Sequence, residues 1–213
     1  MSFNLIQRVR LPAEDTPAPY PAVVLVHGWL GNENSMWAFQ SILPRSALAI
    51  SMRAPLEAEG GYGWFQAAEG TPEVQSAAFD QGLAALREFV SRLPREYPVD
   101  PERIILMGFS QGAAMSYSLL LSDPNLIAAL AALAGFLPDP ARQWVAPGRL
   151  TAKRVFIAHG LEDATVRVQE AAQAREAMAR CGAEVTYAEY PIGHKLSTQG
   201  MKDLKAWLAG FVS

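Results

Sequence analysis

The amino-acid sequence predicts an α/β fold, a three-layer sandwich in which helices cover both faces of a mostly parallel sheet. The first observation is that short apolar runs alternate along the chain with longer stretches of helical periodicity. The second is that several of these runs are continuously apolar, which is typical of strands buried on both faces of a parallel sheet. The third is the length of 213 residues, which suits one α/β domain, so residues 1–213 are expected to form a single domain.

Each element follows from a local pattern. Near the N-terminus, Phe3 to Leu11 alternates apolar and polar residues, which predicts an antiparallel strand at the sheet edge. Apolar runs predict six further strands: Ala22 to Val26, Ala47 to Ser51, Arg103 to Met107, Ile127 to Leu133, Arg154 to Ala158 and Val185 to Tyr190. Helical periodicity predicts five helices: Met36 to Leu43, Glu73 to Arg92, Gln111 to Leu121, Gln169 to Arg180 and Leu196 to Val212. Prolines discourage a long helix between Gly135 and Leu150, and that stretch is too short for a cap domain.

Composition and charge exclude several function classes. The net charge of -3 and a pI near 5.7 are unfavourable for nucleic-acid binding, which requires clustered Lys and Arg. Because Cys181 is the single cysteine, an internal disulfide is impossible and a cysteine-based metal site is not expected. The N-terminus lacks the pattern of a signal peptide, and no apolar run is long enough to span a bilayer. We therefore expect a cytoplasmic protein, and the sequence does not indicate its oligomeric state.

The most specific motif is the pentapeptide Gly108-Phe109-Ser110-Gln111-Gly112. It follows the predicted strand Arg103 to Met107 and precedes the helical Ala113 to Tyr117. A G-x-S-x-G sequence between a strand and a helix is typical of a nucleophile elbow, a tight turn that lifts the serine hydroxyl to the carboxyl edge of the sheet. An ordinary helix N-cap would be the structural explanation for Ser110. The context on both sides favours a catalytic nucleophile.

A serine nucleophile needs a base that takes its proton, and histidine suits that task near neutral pH. Of the three histidines, only His194 lies near the C-terminus, after a predicted strand and before a predicted helix. That position agrees with the chain order serine, acid, histidine of such hydrolases. His27 and His159 each precede a glycine at the end of a predicted strand, and we expect them to shape loops by hydrogen bonding.

The acid that orients the base should lie in a loop after a strand, between the nucleophile and the base. Asp163 meets this requirement, because it follows the strand Arg154 to Ala158. Glu162 is the nearest competitor, with a solvated loop charge as its structural explanation. Asp139 is a weaker candidate beside prolines. We predict a catalytic triad of Ser110, His194 and Asp163.

Attack by a serine on a carbonyl carbon also needs two N–H donors for the negative oxygen of the tetrahedral intermediate. One should be the amide of Gln111, directly after the nucleophile. The other should come from the loop after an early strand. We predict the Trp29 amide, because Gly28 lets the backbone turn inward.

With these pieces in order, the chain from Ala22 onward resembles the small carboxylesterase, lysophospholipase and acyl-protein thioesterase family of α/β hydrolases. The motifs that carry the resemblance are His27-Gly28, Arg53-Ala54-Pro55, Gly60-Gly61-Tyr62-Gly63-Trp64-Phe65, the Ser110 pentapeptide, His159-Gly160 with Asp163, and Gly193-His194. The resemblance implies the α/β-hydrolase fold without a cap domain, Ser110 as nucleophile, Gln111 and Trp29 as oxyanion donors, and no cofactor or metal.

The chain departs from the family pattern at two positions beside the predicted site. Members often have proline shortly after the acid, whereas Ala164-Thr165-Val166-Arg167 follows Asp163 here. Many also have an acidic residue after the base, whereas Lys195 stands here. Both changes put a charge near the predicted mouth of the site and leave the substrate preference open.

Aromatic residues are the candidates for lining an acyl-binding groove. Trp64 and Phe65 lie in a glycine-rich loop rather than on a periodic face, so we predict that they bind the acyl or alcohol part of the substrate. Trp29, Phe109 and Phe136 are further candidates. For any single aromatic residue, core packing is an equally good explanation.

These observations predict a serine hydrolase that cleaves carboxylic esters, with thioesters and lysophospholipids as further candidate substrates, through an acyl-enzyme on Ser110. A peptidase or an acyltransferase could use the same triad. A non-catalytic binding protein could share the fold, although every triad residue is present in the right order. A dienelactone-hydrolase-like enzyme is less similar at the elbow, where that group normally has cysteine.

Overall fold

The computed structural model of the chain describes residues 6–66 and 72–211. Its strands are β1 (Gln7–Arg10), β2 (Tyr20–Val26), β3 (Leu48–Met52), β4 (Leu56–Ala58), β5 (Gly61–Gly63), β6 (Val99–Phe109), β7 (Ala129–Leu133), β8 (Arg154–Gly160) and β9 (Glu184–Tyr190). Its α-helices are α1 (Pro72–Glu96), α2 (Gln111–Ser122), α3 (Val168–Arg180) and α4 (Thr198–Ala209). Short 3₁₀ helices span Ser35–Ile42, Pro124–Leu126 and Asp139–Trp144.

The main sheet has the strand order β1-β3-β2-β6-β7-β8-β9. Strand β1 lies at the edge and is antiparallel to β3, and the other pairings in this sheet are parallel. The predicted fold class is therefore confirmed, as is an antiparallel edge strand, although Phe3 to Leu5 of that prediction lie outside the described residues. From β2 the chain runs outward to β3 and then returns to β6 on the other side of β2. This reversal creates a crevice at the carboxyl ends of β2 and β6, where such sheets bind ligands.

Strand β2 explains why the apolar runs are continuous. Ala22, Val24 and Val26 belong to one hydrophobic cluster and Val23 and Leu25 to another, and all five are fully buried. Successive side chains of a strand point to opposite faces, so a sheet that is covered on both faces buries every residue of its central strands. Helices α1, α2 and α3 cover the first face, and α4 with the 3₁₀ helix Ser35–Ile42 covers the second.

Several elements differ from their predicted type or bounds. The predicted helix Met36 to Leu43 is a 3₁₀ helix. Helix α4 begins at Thr198 rather than Leu196, because the hydroxyl of Ser197 accepts a hydrogen bond from the Gly200 amide, 2.9 Å away, and so caps the helix. The two-stranded sheet β4-β5 was not predicted, since its strands have three residues each and show no apolar alternation. Within the described residues, no helix is both long and apolar enough to cross a membrane.

Candidate active site

Ser110 occupies the turn between β6 and α2. Its backbone has φ 52° and ψ -117°, a conformation that a side chain rarely adopts. The Ser110 amide donates to the Leu133 carbonyl at 2.9 Å, and the Ser110 carbonyl accepts from the Ala114 amide at 3.1 Å. The surrounding backbone thus holds the serine in a strained conformation at the carboxyl edge of the sheet, as a nucleophile elbow requires.

The two glycines of the pentapeptide are required by close backbone approaches. A Cβ atom on Gly108 would lie 2.5 Å from the Gly112 carbonyl oxygen. A Cβ atom on Gly112 would overlap the Val26 and His27 carbonyl oxygens. Helix α2 can therefore start directly against the ends of β6 and β2, and this contact sets the sharpness of the turn.

His194 and Asp163 are in direct contact. The Nδ1 atom of His194 donates to Oδ2 of Asp163 at 2.7 Å. The other carboxylate oxygen accepts hydrogen bonds from the Thr165 and Val166 amides, each at 2.9 Å. Because Nδ1 carries a proton, Nε2 of the neutral imidazole is the nitrogen left to accept one.

The alternative acids are not placed to orient His194. Glu162 is exposed on the loop before Asp163. Asp139 has a side chain that is 93% exposed and forms an ion pair with Arg142 at 3.0 Å. Of the three acids considered from the sequence, Asp163 is the one that contacts the imidazole.

The environment of Asp163 favours its ionised form. Burial, the largest influence, raises the pKa of Asp163, but hydrogen bonds from the Val166 amide, His194 and the Thr165 amide outweigh burial and leave this pKa below its ordinary value. His159 supports the same loop, since its Nε2 atom donates to the Val166 carbonyl at 2.8 Å and lies 3.4 Å from Oδ2 of Asp163. These hydrogen bonds therefore fix the position of the Asp163 carboxylate and favour its negative charge.

The loop after β2 passes directly beside the nucleophile. A Cβ atom on Gly28 would lie 3.2 Å from the Cβ atom of Ser110. No hydrogen-bond acceptor for the Trp29 amide is found among residues 6–66 and 72–211. Gln111 is the first residue of α2, where an amide has no partner within the helix. Both predicted oxyanion donors thus belong to segments that meet at Ser110.

His27 fixes the peptide that carries the Trp29 amide. Its ring is fully buried, Nδ1 donates to the Gly28 carbonyl at 2.7 Å, and Nε2 accepts from the Ala54 amide at 3.0 Å. Burial lowers the pKa of His27, which favours this neutral form. The Gly28 carbonyl and the Trp29 N–H belong to one planar peptide group, so anchoring the oxygen also fixes the direction of the N–H.

Trp64 and the Gln111 side chain connect the loops beneath the site. The side-chain oxygen of Gln111 accepts from the Trp64 amide at 2.8 Å, and its nitrogen donates to the Phe65 carbonyl at 2.6 Å. The Trp64 indole N–H donates to the His27 carbonyl at 2.8 Å, and the Trp64 residue is only 1% exposed. The sequence predicted a role for the Gln111 amide alone, and no local pattern indicates the partners of its side chain.

A cleft of 710 Å³ opens beside Ser110. It is lined by Gly28, Trp29, Leu30, Gly31, Ser35, Met36, Ala38, Phe39, Phe109, Ser110, Thr165, His194, Lys195, Leu196 and Met201. Neither Trp64 nor Phe65 lines this cleft: Trp64 is buried beneath the site, and the Phe65 ring packs against Phe79 with 5.5 Å between ring centroids. The apolar lining comes instead from Trp29, Leu30 and Phe109, from the 3₁₀ helix Ser35–Ile42 and from the segment around the start of α4, so two of the further candidates, Trp29 and Phe109, do line the cleft.

Replacing His27 by leucine is expected to lower kcat of ester hydrolysis by about tenfold to a hundredfold. Without the bond from His27, the peptide between Gly28 and Trp29 can rotate, and the Trp29 N–H no longer points steadily at the negative oxygen of the intermediate. His27→Asn is the matched control, since its side-chain nitrogen can reach the position of Nδ1 and keep the bond to Gly28. Both variants leave the Ala54 amide without its acceptor, so both should unfold at a lower temperature. Equal kcat values for the two folded variants would contradict the anchoring role.

Residues 6–66 and 72–211 contain no group of three His, Cys, Asp or Glu side chains placed to hold a metal ion.

The chain is similar to known proteins. The model of the phospholipase/carboxylesterase family matches residues 12–211. Acyl-protein thioesterase 1 of Debaryomyces hansenii is 28% identical, over 94% of this chain and 94% of its own. Esterase YpfH of Escherichia coli is also 28% identical, over 88% of this chain and 81% of its own.

Solved structures share the fold. The carboxylesterase of Bacillus cereus superposes with a TM-score of 0.85 at 24% identity and covers 97% of this chain and 94% of its own. The family resemblance stated from the motifs is therefore confirmed. The chain belongs to the phospholipase/carboxylesterase family and is an esterase-type hydrolase with the α/β-hydrolase fold.

Proposed function

We propose that the chain hydrolyses carboxylic esters through an acyl-enzyme on Ser110, with His194 as general base and acid and Asp163 as the residue that orients it. The observation that carries this proposal is the 2.7 Å hydrogen bond from His194 Nδ1 to Asp163 Oδ2, in a cleft that Ser110 also lines. That bond leaves Nε2 free to take the serine proton.

The proposed reaction has two steps. In the first, Nε2 of His194 takes the proton of the Ser110 hydroxyl while the serine oxygen attacks the ester carbonyl, and the same proton then passes to the leaving alcohol. In the second, water loses a proton to His194 and attacks the acyl-serine, and that proton passes to the Ser110 oxygen as the acid is released. The Trp29 and Gln111 amides would donate to the negative oxygen in both steps. No cofactor takes part in this proposal.

The cleft supports a substrate with an apolar part. Met36, Phe39, Leu196 and Met201 contribute its apolar lining. We therefore propose small-molecule or lipid-like esters as substrates. Thioesters are included because one similar protein is named an acyl-protein thioesterase, and lysophospholipids remain a further candidate. The cytoplasmic location predicted from the sequence is part of the same proposal.

The function is tested with matched p-nitrophenyl ester, thioester and anilide substrates of one acyl group. Ester turnover with little anilide turnover is the expected result. Faster anilide cleavage would favour a peptidase, and acyl transfer to an added alcohol in preference to water would favour an acyltransferase. Folded protein that turns over none of these substrates would favour a binding protein.

Replacing Met201 by tryptophan is expected to shift the preferred p-nitrophenyl ester toward shorter acyl chains, because the larger ring fills the cleft beside Ser110. Each methylene group excluded from the cleft forfeits about 0.8 kcal/mol, so the exclusion of about two of them should lower kcat/KM for the longest good substrate about tenfold. The control is Trp64→Phe, which alters a buried side chain outside the cleft and should change kcat/KM by the same factor for all esters. A chain-length shift in Trp64→Phe and none in Met201→Trp would contradict this assignment of the cleft.

A further inference from the structure

The charge of the cleft is unusual for a protein with more acidic than basic residues. The chain has a net charge of -3, yet the described residues that line the cleft include no Asp, Glu or Arg. Apart from the base His194, the ionisable group among the described lining residues is Lys195. Within the described part of the chain, a substrate in this cleft therefore meets apolar walls and the side chain of Lys195.

Three carboxylates that are close in sequence to lining residues of the cleft already have other partners. Asp163 binds His194, and Glu33 binds Arg53 at 2.8 Å. Asp203, near the start of α4, accepts hydrogen bonds from the Tyr190 hydroxyl and the Gln199 side chain, each at 2.8 Å.

Lys195 itself has no carboxylate at ion-pair distance within the part of the chain that the structure describes. Glu162, which is exposed on the neighbouring loop, does not line the cleft and forms no ion pair with Lys195. The ammonium group is available to a ligand.

The backbone holds Lys195 between the base and an apolar wall. Its amide donates to the Gly193 carbonyl at 2.7 Å, which closes a tight turn around His194. Leu196 and Met201 continue the same wall, and α4 begins three residues after Lys195. The first turn of that helix adds positive potential to the wall, because helix N-termini favour negative charge. An apolar surface and a cation thus lie side by side next to the reacting centre.

We propose that Lys195 makes this enzyme selective for esters that carry an anionic group, a carboxylate or a phosphate, close to the scissile bond. The inference rests on the proposed ester hydrolysis at Ser110 and names the substrate class for that site. Lys195 attracts the anion of the bound substrate, and it takes no part in the chemical steps. Neutral esters react without using it.

Two pairs of esters that differ only in charge test this proposal. One pair carries the charge on the alcohol side: m-butyryloxy-p-nitrobenzoate and the corresponding benzamide. The other carries it on the acyl side: p-nitrophenyl hydrogen adipate and the corresponding monoamide, whose carboxylate and amide groups have nearly the same shape. The ratio of kcat/KM for the anionic ester to that for its neutral partner is measured for wild type, Lys195→Ala and Lys195→Glu. Lys202→Ala is the control, because Lys202 is exposed on α4 outside the cleft.

For at least one pair, the ratio is expected to fall about threefold to fivefold in Lys195→Ala and further in Lys195→Glu, with neutral esters unchanged and Lys202→Ala like wild type. The difference should shrink as salt is raised. An unchanged ratio in both pairs would overturn the proposal and leave Lys195 as a solvated surface cation. An equal loss for anionic and neutral esters would also overturn it.

Failure of the proposed function is distinguishable from these outcomes. It would appear as no Ser110-dependent hydrolysis of the neutral esters by wild-type protein, and the selectivity proposal would then fall with it. If wild-type protein hydrolyses the neutral esters and Lys195→Ala leaves the ratio of kcat/KM for anionic to neutral esters unchanged, the selectivity proposal alone is overturned.

Discussion

Replacing Ser110 by alanine is expected to lower kcat for p-nitrophenyl butyrate by about 10⁴-fold to 10⁶-fold, because the proposed acyl-enzyme forms on the Ser110 oxygen. Labelling by a fluorophosphonate probe should disappear in the same variant, since the probe reacts with the activated serine oxygen. The measurements are steady-state hydrolysis and mass spectrometry of the labelled protein, with the adduct in wild type expected on Ser110.

The matched control is Ser110→Gly, which is equally without a nucleophile. At φ 52° and ψ -117°, glycine avoids the strain that a Cβ atom imposes, so Ser110→Gly is expected to be more stable than Ser110→Ala by about 1 kcal/mol. Thermal unfolding of both variants measures this difference. Substantial ester hydrolysis by either variant would remove Ser110 from the nucleophile's role, whatever the stabilities.

Replacing Asp163 by asparagine is expected to lower kcat by about 10³-fold to 10⁴-fold with a small change in KM. The asparagine oxygen can still accept from the Thr165 and Val166 amides, so its amide nitrogen is left facing His194. Two donors then oppose each other unless the imidazole moves its proton to Nε2. In that tautomer His194 cannot take the serine proton.

The control for Asp163 is its neighbour. Glu162→Gln removes a charge one residue away and should leave kcat within about twofold, because Glu162 does not touch the imidazole and exposed charges interact weakly. Circular dichroism and thermal unfolding establish that Asp163→Asn is folded. A folded Asp163→Asn variant with nearly wild-type kcat would rule out Asp163 as the orienting acid.

Much of the fold followed from local patterns. The continuously apolar run around Val24 could only be satisfied by a strand covered on both faces, and the structure has this strand in the centre of the sheet. The alternation before Leu11 indicated the edge strand β1. Ser197 as a helix cap was missed, since the cap depends on where the chain leaves the cleft rather than on periodicity. The single-domain organisation stays a prediction.

The candidate site was predictable where its chemistry depends on short spacing or chain order. Gly108 and Gly112 are needed because neighbouring backbones approach too closely for a Cβ atom. Both glycines lie in the same five-residue motif as Ser110, so the sequence alone shows them. The order of Ser110, Asp163 and His194 along the chain follows from the order of parallel strands whose carboxyl ends share one edge. Sequence reasoning could therefore name these residues as candidates before any distance was known.

Tertiary structure alone decided where the remaining side chains go. Trp64 and Phe65 have the composition of a substrate-binding loop, but the Trp64 indole finds its acceptor in the His27 carbonyl and Phe65 packs on Phe79. The Gln111 side chain and the His27 ring hold the segments of the two predicted oxyanion donors through contacts with residues 27 to 47 positions away. The position of such a side chain depends on which distant backbone groups still need a hydrogen-bond partner, and the local sequence does not indicate these groups.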